Sequence, residues 1–286
     1  MGQPQTILLV AFFGDLMPSF APVRRTSHAS KAWLRYTSYR FAADRALIPL
    51  VAAELAKAVL VMPLAFVEEN GALHLVAVTS PEPGKNQFVA PDGRWLGAYI
   101  PACVRGYPFA LLQPNGGAQA PILCVDEDSG LVVDAGTQGA EPFFVEEGAL
   151  APALKAVFDF LGKVEASRGA TSRVVAALGA AGVFTAWPLQ VESPEGPKTV
   201  TGLLRIDEAR LNALDDASFL ALRSAGALAI AYSQMLSMRQ IAVFETLAKI
   251  QGKISQVNAR QQTAFDRSFN LPDNEGLQFD FSLLEP

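Results

Sequence analysis

Histidine and cysteine are scarce in this sequence, with two of each in 286 residues. Histidine is the usual proton shuttle near neutral pH, and His28 and His74 lie far apart, with no GxSxG elbow to supply a nucleophile for either. Cys103 and Cys124 have neither a CxxC spacing nor companion histidines, which excludes a zinc ribbon and a disulfide framework and leaves two reduced thiols. The phosphate-cradling patterns GxxxxGK[ST] and GxGxxG after a strand are also missing. No cofactor is expected on these grounds.

Charge is sparse as well. Charged residues make up 18% of the chain, below the roughly 25% of an average globular protein. The net charge of −5, from 23 basic and 28 acidic residues, argues against nucleic acid as a partner, because phosphate neutralisation needs a basic footprint. Long apolar runs are missing too. Phe219 to Leu236 is the most apolar stretch, and it is interrupted by Arg223, Ser224, Ser233 and Gln234, so no membrane span is expected. Ile7 to Phe13 is short, lacks a preceding positive charge and ends at Gly14-Asp15, a poor secretory leader. The expected location is the cytoplasm, or a surface association reached without an N-terminal signal.

What the chain does have is hydrophobic residues, 50% of the total, enough for a substantial core. Leu16 to Ala43 contains no acid, and Arg24, Arg25, Lys31, Arg35 and Arg40 alternate with Trp33, Tyr36, Tyr39 and Phe41. Residues 1–38 are read as a basic lead-in segment. Ala46 to Lys57 has roughly helical apolar spacing, made irregular by Pro49. Val59 to Val67 and Ala72 to Thr79 read as strands joined at Asn70-Gly71, a tight-turn pair. Two further hairpins are expected: Asn86 to Ala90 with Arg94 to Ile100 across Asp92-Gly93, and Ile122 to Val125 with Leu131 to Asp134.

The second half reads as helical. Leu150 to Glu165 presents Leu154, Val157, Phe158 and Leu161 on one face, and Thr171 is read as the N-cap of a separate helix to Ala181. Val183 to Val191 and Thr199 to Ile206 form a strand pair, and Asp207 caps a short helix. Asp215 or Asp216 caps the longest helix, running to about Ile250, with Gly226 its expected break. The fold class is α+β: a mainly antiparallel sheet built from hairpins, covered by helices of the C-terminal half. Residues 39–252 form the domain, and residues 253–286 read as a polar tail, extended or partly disordered. The long helix offers a route to a homo-oligomer.

Asn86 to Phe109 is the segment richest in recognition chemistry. Trp95, Tyr99, Tyr107 and Phe109 are large surfaces, and Arg94 and Arg105 carry planar guanidinium forks. Together these suit a carboxylate, a phosphate or a protein partner; the competing account is that the aromatics are core and the arginines pair with local acids. Asn86, Arg94, Trp95, Tyr99 and Arg105 are the candidate binding residues. For a metal, the one acidic cluster is Asp126, Asp128 and Asp134 with Glu127, whose spacing fails the EF-hand pattern and which a solvated hairpin tip explains without an ion.

Several pieces of this chain resemble the SapC-like family: Asn86-Gln87-Phe88, Asp92-Gly93-Arg94-Trp95, Tyr99-Ile100-Pro101, and Arg105-Gly106-Tyr107-Pro108-Phe109. Tyr39 with Phe41-Ala42, Pro49-Leu50-Val51 with Glu54, Cys124-Val125-Asp126-Glu127, and Gly202-Leu203 with Asp207-Glu208 and Leu211 extend the likeness. Gly106 departs from the family's commoner double arginine. The resemblance implies a bacterial protein, associated with surface-layer genes, that acts as a non-catalytic accessory in a surface-layer or modification system. The alternatives are an enzyme of unrecognised class acting on a peptide or small anion, oriented by Arg94 and Arg105, and a self-assembling structural protein.

Overall fold

Asn70 and Gly71 both adopt left-handed backbone angles, φ 51° and 76°, and so close the hairpin that their side-chain chemistry favours. In this computed structural model of the protein, residues 5–8, 20–112, 120–146, 148–193 and 196–269 are described. The strands are β1 (Gln5–Leu8), β2 (Phe20–Pro22), β3 (Lys31–Trp33), β4 (Leu47–Pro49), β5 (Leu64–Glu69), β6 (Ala72–Val78) and β7 (Phe109–Leu112). They continue as β8 (Ile122–Asp126), β9 (Val132–Asp134), β10 (Glu141–Pro142), β11 (Phe184–Ala186), β12 (Leu189–Ser193), β13 (Gly196–Thr201) and β14 (Leu204–Ile206). The helices are α1 (Arg25–His28), α2 (Leu55–Ala58), α3 (Ala102–Arg105) and α4 (Pro152–Ala180), then α5 (Glu208–Asn212), α6 (Asp216–Ser224), α7 (Ala227–Ser237) and α8 (Val243–Phe269).

The protein is α+β. Its principal sheet has the order β11-β14-β5-β6-β4 and is antiparallel throughout, and three smaller sheets run β2-β8-β7, β10-β3-β9 and β1-β13-β12. Among the described residues only β1 and β13 pair in parallel. The β5–β6 hairpin is therefore the one of three expected hairpins that forms. Across Asp92-Gly93 there is a single bridge, Val89 to Trp95. The expected third hairpin is replaced by long-range pairing: β8 takes β7 and β2, while β9 takes β3. Residues 20–33, read from sequence as part of a lead-in, thus supply two strands to the folded body.

Ala46 to Lys57 is not one helix. Pro49 removes a backbone donor and ends the edge strand β4, and a single 3-10 turn (Ala52–Glu54) leads into the four-residue α2. The two helices expected between Leu150 and Ala181 are instead one, α4, of 29 residues. Thr171 lies inside it, accepting from the Ala52 amide at 2.8 Å and donating back to the Ser167 carbonyl at 2.7 Å. A threonine hydroxyl can satisfy the preceding turn in this way without starting a new helix.

Helix α4 is about 44 Å long at 1.5 Å per residue and ties together two buried clusters. Leu154 and Leu161 pack with Trp33, Phe109, Leu123, Val125 and Phe143. Val175 and Leu178, further along, pack against Phe66, Val76 and Ile206 of the principal sheet. Helix α7 packs on β5 and β14 and against α4, and contributes Ile230 and Ala231 to the same cluster.

Asp207 and Asp215 cap α5 and α6 as expected, each accepting backbone amides of the first turn. Gly226 breaks the long apolar stretch at φ 74°, a left-handed angle glycine takes without a Cβ penalty, and the chain turns by 90° there. No single helix among the described residues is long and apolar enough to cross a membrane. The expected extended tail is helical as far as Phe269, because α8 continues past residue 253. Phe244 and Leu247 bury its first turns, and Gln251 donates to the Gln87 and Val89 carbonyls at 2.7 and 3.1 Å. Beyond that contact Val257 is 51% exposed. The tail positions 270–286 lie outside the described residues.

Candidate functional site

A carboxylate that sequence reading did not single out as a site residue organises the recognition segment. Glu54, buried in the apolar run from Leu50 to Leu55, accepts the Val51 amide on Oε2 at 3.1 Å. Its Oε1 accepts the Tyr99 hydroxyl at 2.8 Å and the Ala102 amide at 2.6 Å. Three donors around one buried anion meet the requirement that buried charge be hydrogen-bonded. They also fix the loop leading into α3. An acid placed among aliphatics in Leu50-Val51-Ala52-Ala53-Glu54-Leu55 was the available signal.

From Glu54 the chain of contacts runs outward. The Tyr99 phenol is pushed up to about 12 by burial and then by the Glu54 charge. Arg105 donates from Nη2 to the Tyr99 oxygen at 3.4 Å and from Nε to the Ile100 carbonyl at 3.0 Å. Its guanidinium carbon stands 5.7 Å from the Tyr99 ring centre and 5.0 Å from that of Phe160 on α4. Cation–π contact of this kind orients an arginine without consuming its charge. Trp95 donates to the Tyr99 carbonyl at 2.8 Å and stacks on Phe88, with ring centres 5.6 Å apart. Trp95, Tyr99 and Arg105 therefore form one connected surface.

The other two candidates stand apart from it. Arg94 is exposed and paired with Asp92 at 2.7 Å, and Asp92 also accepts the Arg94 amide at 3.1 Å. Those two hydrogen bonds hold the Asp92 carboxyl below the usual carboxylate range. Asn86 is buried and ties two backbone segments together, donating to the Ala42 carbonyl and accepting the Phe88 amide.

The acidic residues near β8 and β9 disperse. Asp126 accepts the Tyr107 hydroxyl at 3.0 Å and the Asp128 amide at 3.1 Å, while Asp134 pairs with Lys31 at 2.7 Å. Among the described residues no group of three or more histidine, cysteine, aspartate or glutamate side chains is placed to hold a metal ion. His28 is 2% exposed, packs its ring 4.9 Å from that of Phe143, and has Nε2 3.3 Å from Glu127. Burial lowers the His74 pKa.

Two cavities meet at Cys103. The first, about 250 Å³, is walled by Phe41, Ile48, Phe109, Leu111 and Leu161, with Arg45, Glu165 and Arg168 also lining it. The second, about 340 Å³, is lined by Val51, Glu54, Leu73, His74, Thr171 and Val175 among others. Pro49, Cys103, Val164 and Arg168 line both. Burial, then the Glu54 charge, pushes the half-buried Cys103 thiol up to about 12, far from the thiolate a nucleophile needs. Arg94, Arg105 and Asp126 line neither cavity.

Fold and site together define an α+β protein with an aromatic–arginine surface beside α3 and two cavities that share Cys103 of the same helix. The chain belongs to the SapC family, whose model matches residues 23–243. Comparison with curated proteins gives no match, and comparison with solved structures gives none.

Proposed function

We propose that this SapC-family protein is a non-catalytic binding protein, an accessory of a bacterial surface-layer or modification system, which recognises a protein partner through Trp95, Tyr99 and Arg105. The observation that carries this reading is the state of Arg105. Its guanidinium is exposed, held over two rings and by the Ile100 carbonyl, and forms no ion pair among the described residues. An arginine so oriented keeps its charge for a carboxylate supplied from outside, and tryptophan, tyrosine and arginine are the side chains that dominate binding hot spots. The partner surface would therefore present an acidic group beside an apolar patch.

The test is capture from the host extract, identification of the partner, and binding of the two purified proteins. Arg105→Ala and Trp95→Ala should each weaken that binding at least tenfold with circular dichroism unchanged. Equal affinity of the variants and the parent would remove this surface from the function.

A second reading, self-assembly, has its own observation: Ile250 and Val257 on α8 are 37% and 51% exposed, one heptad apart. Sedimentation at rising concentration tests it, and a monomer at every concentration rejects it.

A further inference from the structure

The 250 Å³ cavity contains a charge imbalance. Among the described residues three charged side chains line it: Arg45, Arg168 and Glu165. Arg168 and Glu165 pair with each other at 3.0 Å across one turn of α4. Arg45 is half-buried, and among the described residues its guanidinium makes no hydrogen bond and no ion pair. Its charge nonetheless reaches the cavity wall, since it favours the ionised forms of both Cys103 and Tyr107. The rest of the lining is largely aliphatic and aromatic: Phe41, Ile48, Phe109, Leu111, Leu161 and Val164. A half-buried cation left unpaired beside an apolar hollow calls for an anion with an apolar body.

We propose that this cavity binds a small carboxylate carried on an apolar chain or ring, with the carboxylate against Arg45 and the apolar part between Phe41 and Leu161. Size limits the ligand. A volume of about 250 Å³ equals roughly eight water molecules at about 30 Å³ each, so the body is on the order of eight carbon atoms. Planar guanidinium and carboxylate match in a two-pronged geometry that an alcohol or an amine cannot reproduce. None of Trp95, Tyr99 or Arg105 lines this cavity, so the ligand site is independent of the proposed partner surface.

Calorimetric titration of the full-length protein tests the assignment, with octanoate, 4-phenylbutyrate, 1-octanol and octylamine as probes. At least one carboxylate should bind, and the alcohol and the amine should bind at least tenfold more weakly. Comparing octanoate with 4-phenylbutyrate separates a chain from a ring as the natural body. Arg45→Gln should lose at least tenfold of the carboxylate affinity, and Val164→Phe, which fills the hollow, should abolish binding. Because the Arg45 guanidinium has no hydrogen-bond or ion-pair partner among the described residues, Arg45→Gln keeps the test decisive even if Val164→Phe fails to fold. Absence of binding by both carboxylates, equal binding of octanol, or full affinity in Arg45→Gln would each overturn the proposal.

Discussion

The phenol of Tyr99 donates to a buried carboxylate, Glu54 Oε1, at 2.8 Å, although the two residues lie 45 positions apart. That bond, with the Ala102 amide on the same oxygen at 2.6 Å, anchors the recognition segment to the 3-10 turn before α2. Replacing Glu54 with glutamine keeps the shape but leaves only one accepting oxygen for three donors. At least one donor then faces an amide NH₂ or loses its partner, at about 1–3 kcal/mol. Urea unfolding should show that loss in Glu54→Gln. A midpoint unchanged from the parent would mean that the segment is held by other contacts.

Alkaline pH should weaken the fold through its tyrosines. Tyr36, Tyr99 and Tyr107 each have phenols raised from 10.0 to about 12, burial being the largest cause in all three. A phenol that ionises later in the folded state binds its proton more tightly there than when unfolded. Its contribution is therefore complete below pH 10 and disappears as pH rises through about 12. Stability measured between pH 10 and 12 should fall, and Tyr99→Phe should remove one late phase from the ultraviolet ionisation curve. Ionisation of all tyrosines near pH 10 in the folded protein would contradict the burial described.

The principal sheet depends on a helix side chain. Strands β14 and β5 share one register pair, Leu204 with Phe66, and Gln234 of α7 completes the junction. It accepts the Ile206 amide at 3.0 Å and donates to the Leu64 carbonyl at 3.1 Å, fully buried. Gln234→Leu would leave one amide and one carbonyl unpaired in the core, at roughly 1–3 kcal/mol each. Thermal unfolding should register a loss of about 2–6 kcal/mol. A stability within about 0.5 kcal/mol of the parent would show that the junction is held by packing alone.

The parts of this fold legible in sequence were those set by local chemistry. Asn70-Gly71, the caps Asp207 and Asp215, and the break at Gly226 each act within a few residues. The pairings of β8 with β2 and β9 with β3 were not legible, since they join segments about 100 residues apart and no local turn records them. Thr171 misled because its hydroxyl bonds equally well to an interior turn as to a helix start. Of the candidate residues, Trp95, Tyr99 and Arg105 come together, whereas Arg94 and Asn86 satisfy neighbours of their own. Glu54 entered only through the family likeness, and Arg45 not at all, because an isolated charge in an apolar stretch has no spacing pattern. Only the folded chain shows that one is saturated and the other is not.

The most direct test of the central claim is photo-crosslinking from position 94, which is exposed beside Trp95, with a benzophenone side chain replacing Arg94 in the native host. The account predicts one dominant crosslinked protein, lost when Arg105 is also changed to Glu while the circular dichroism spectrum stays the same. A product that persists undiminished in the Arg105→Glu protein, or no product at all, would contradict a partner-binding role for this surface.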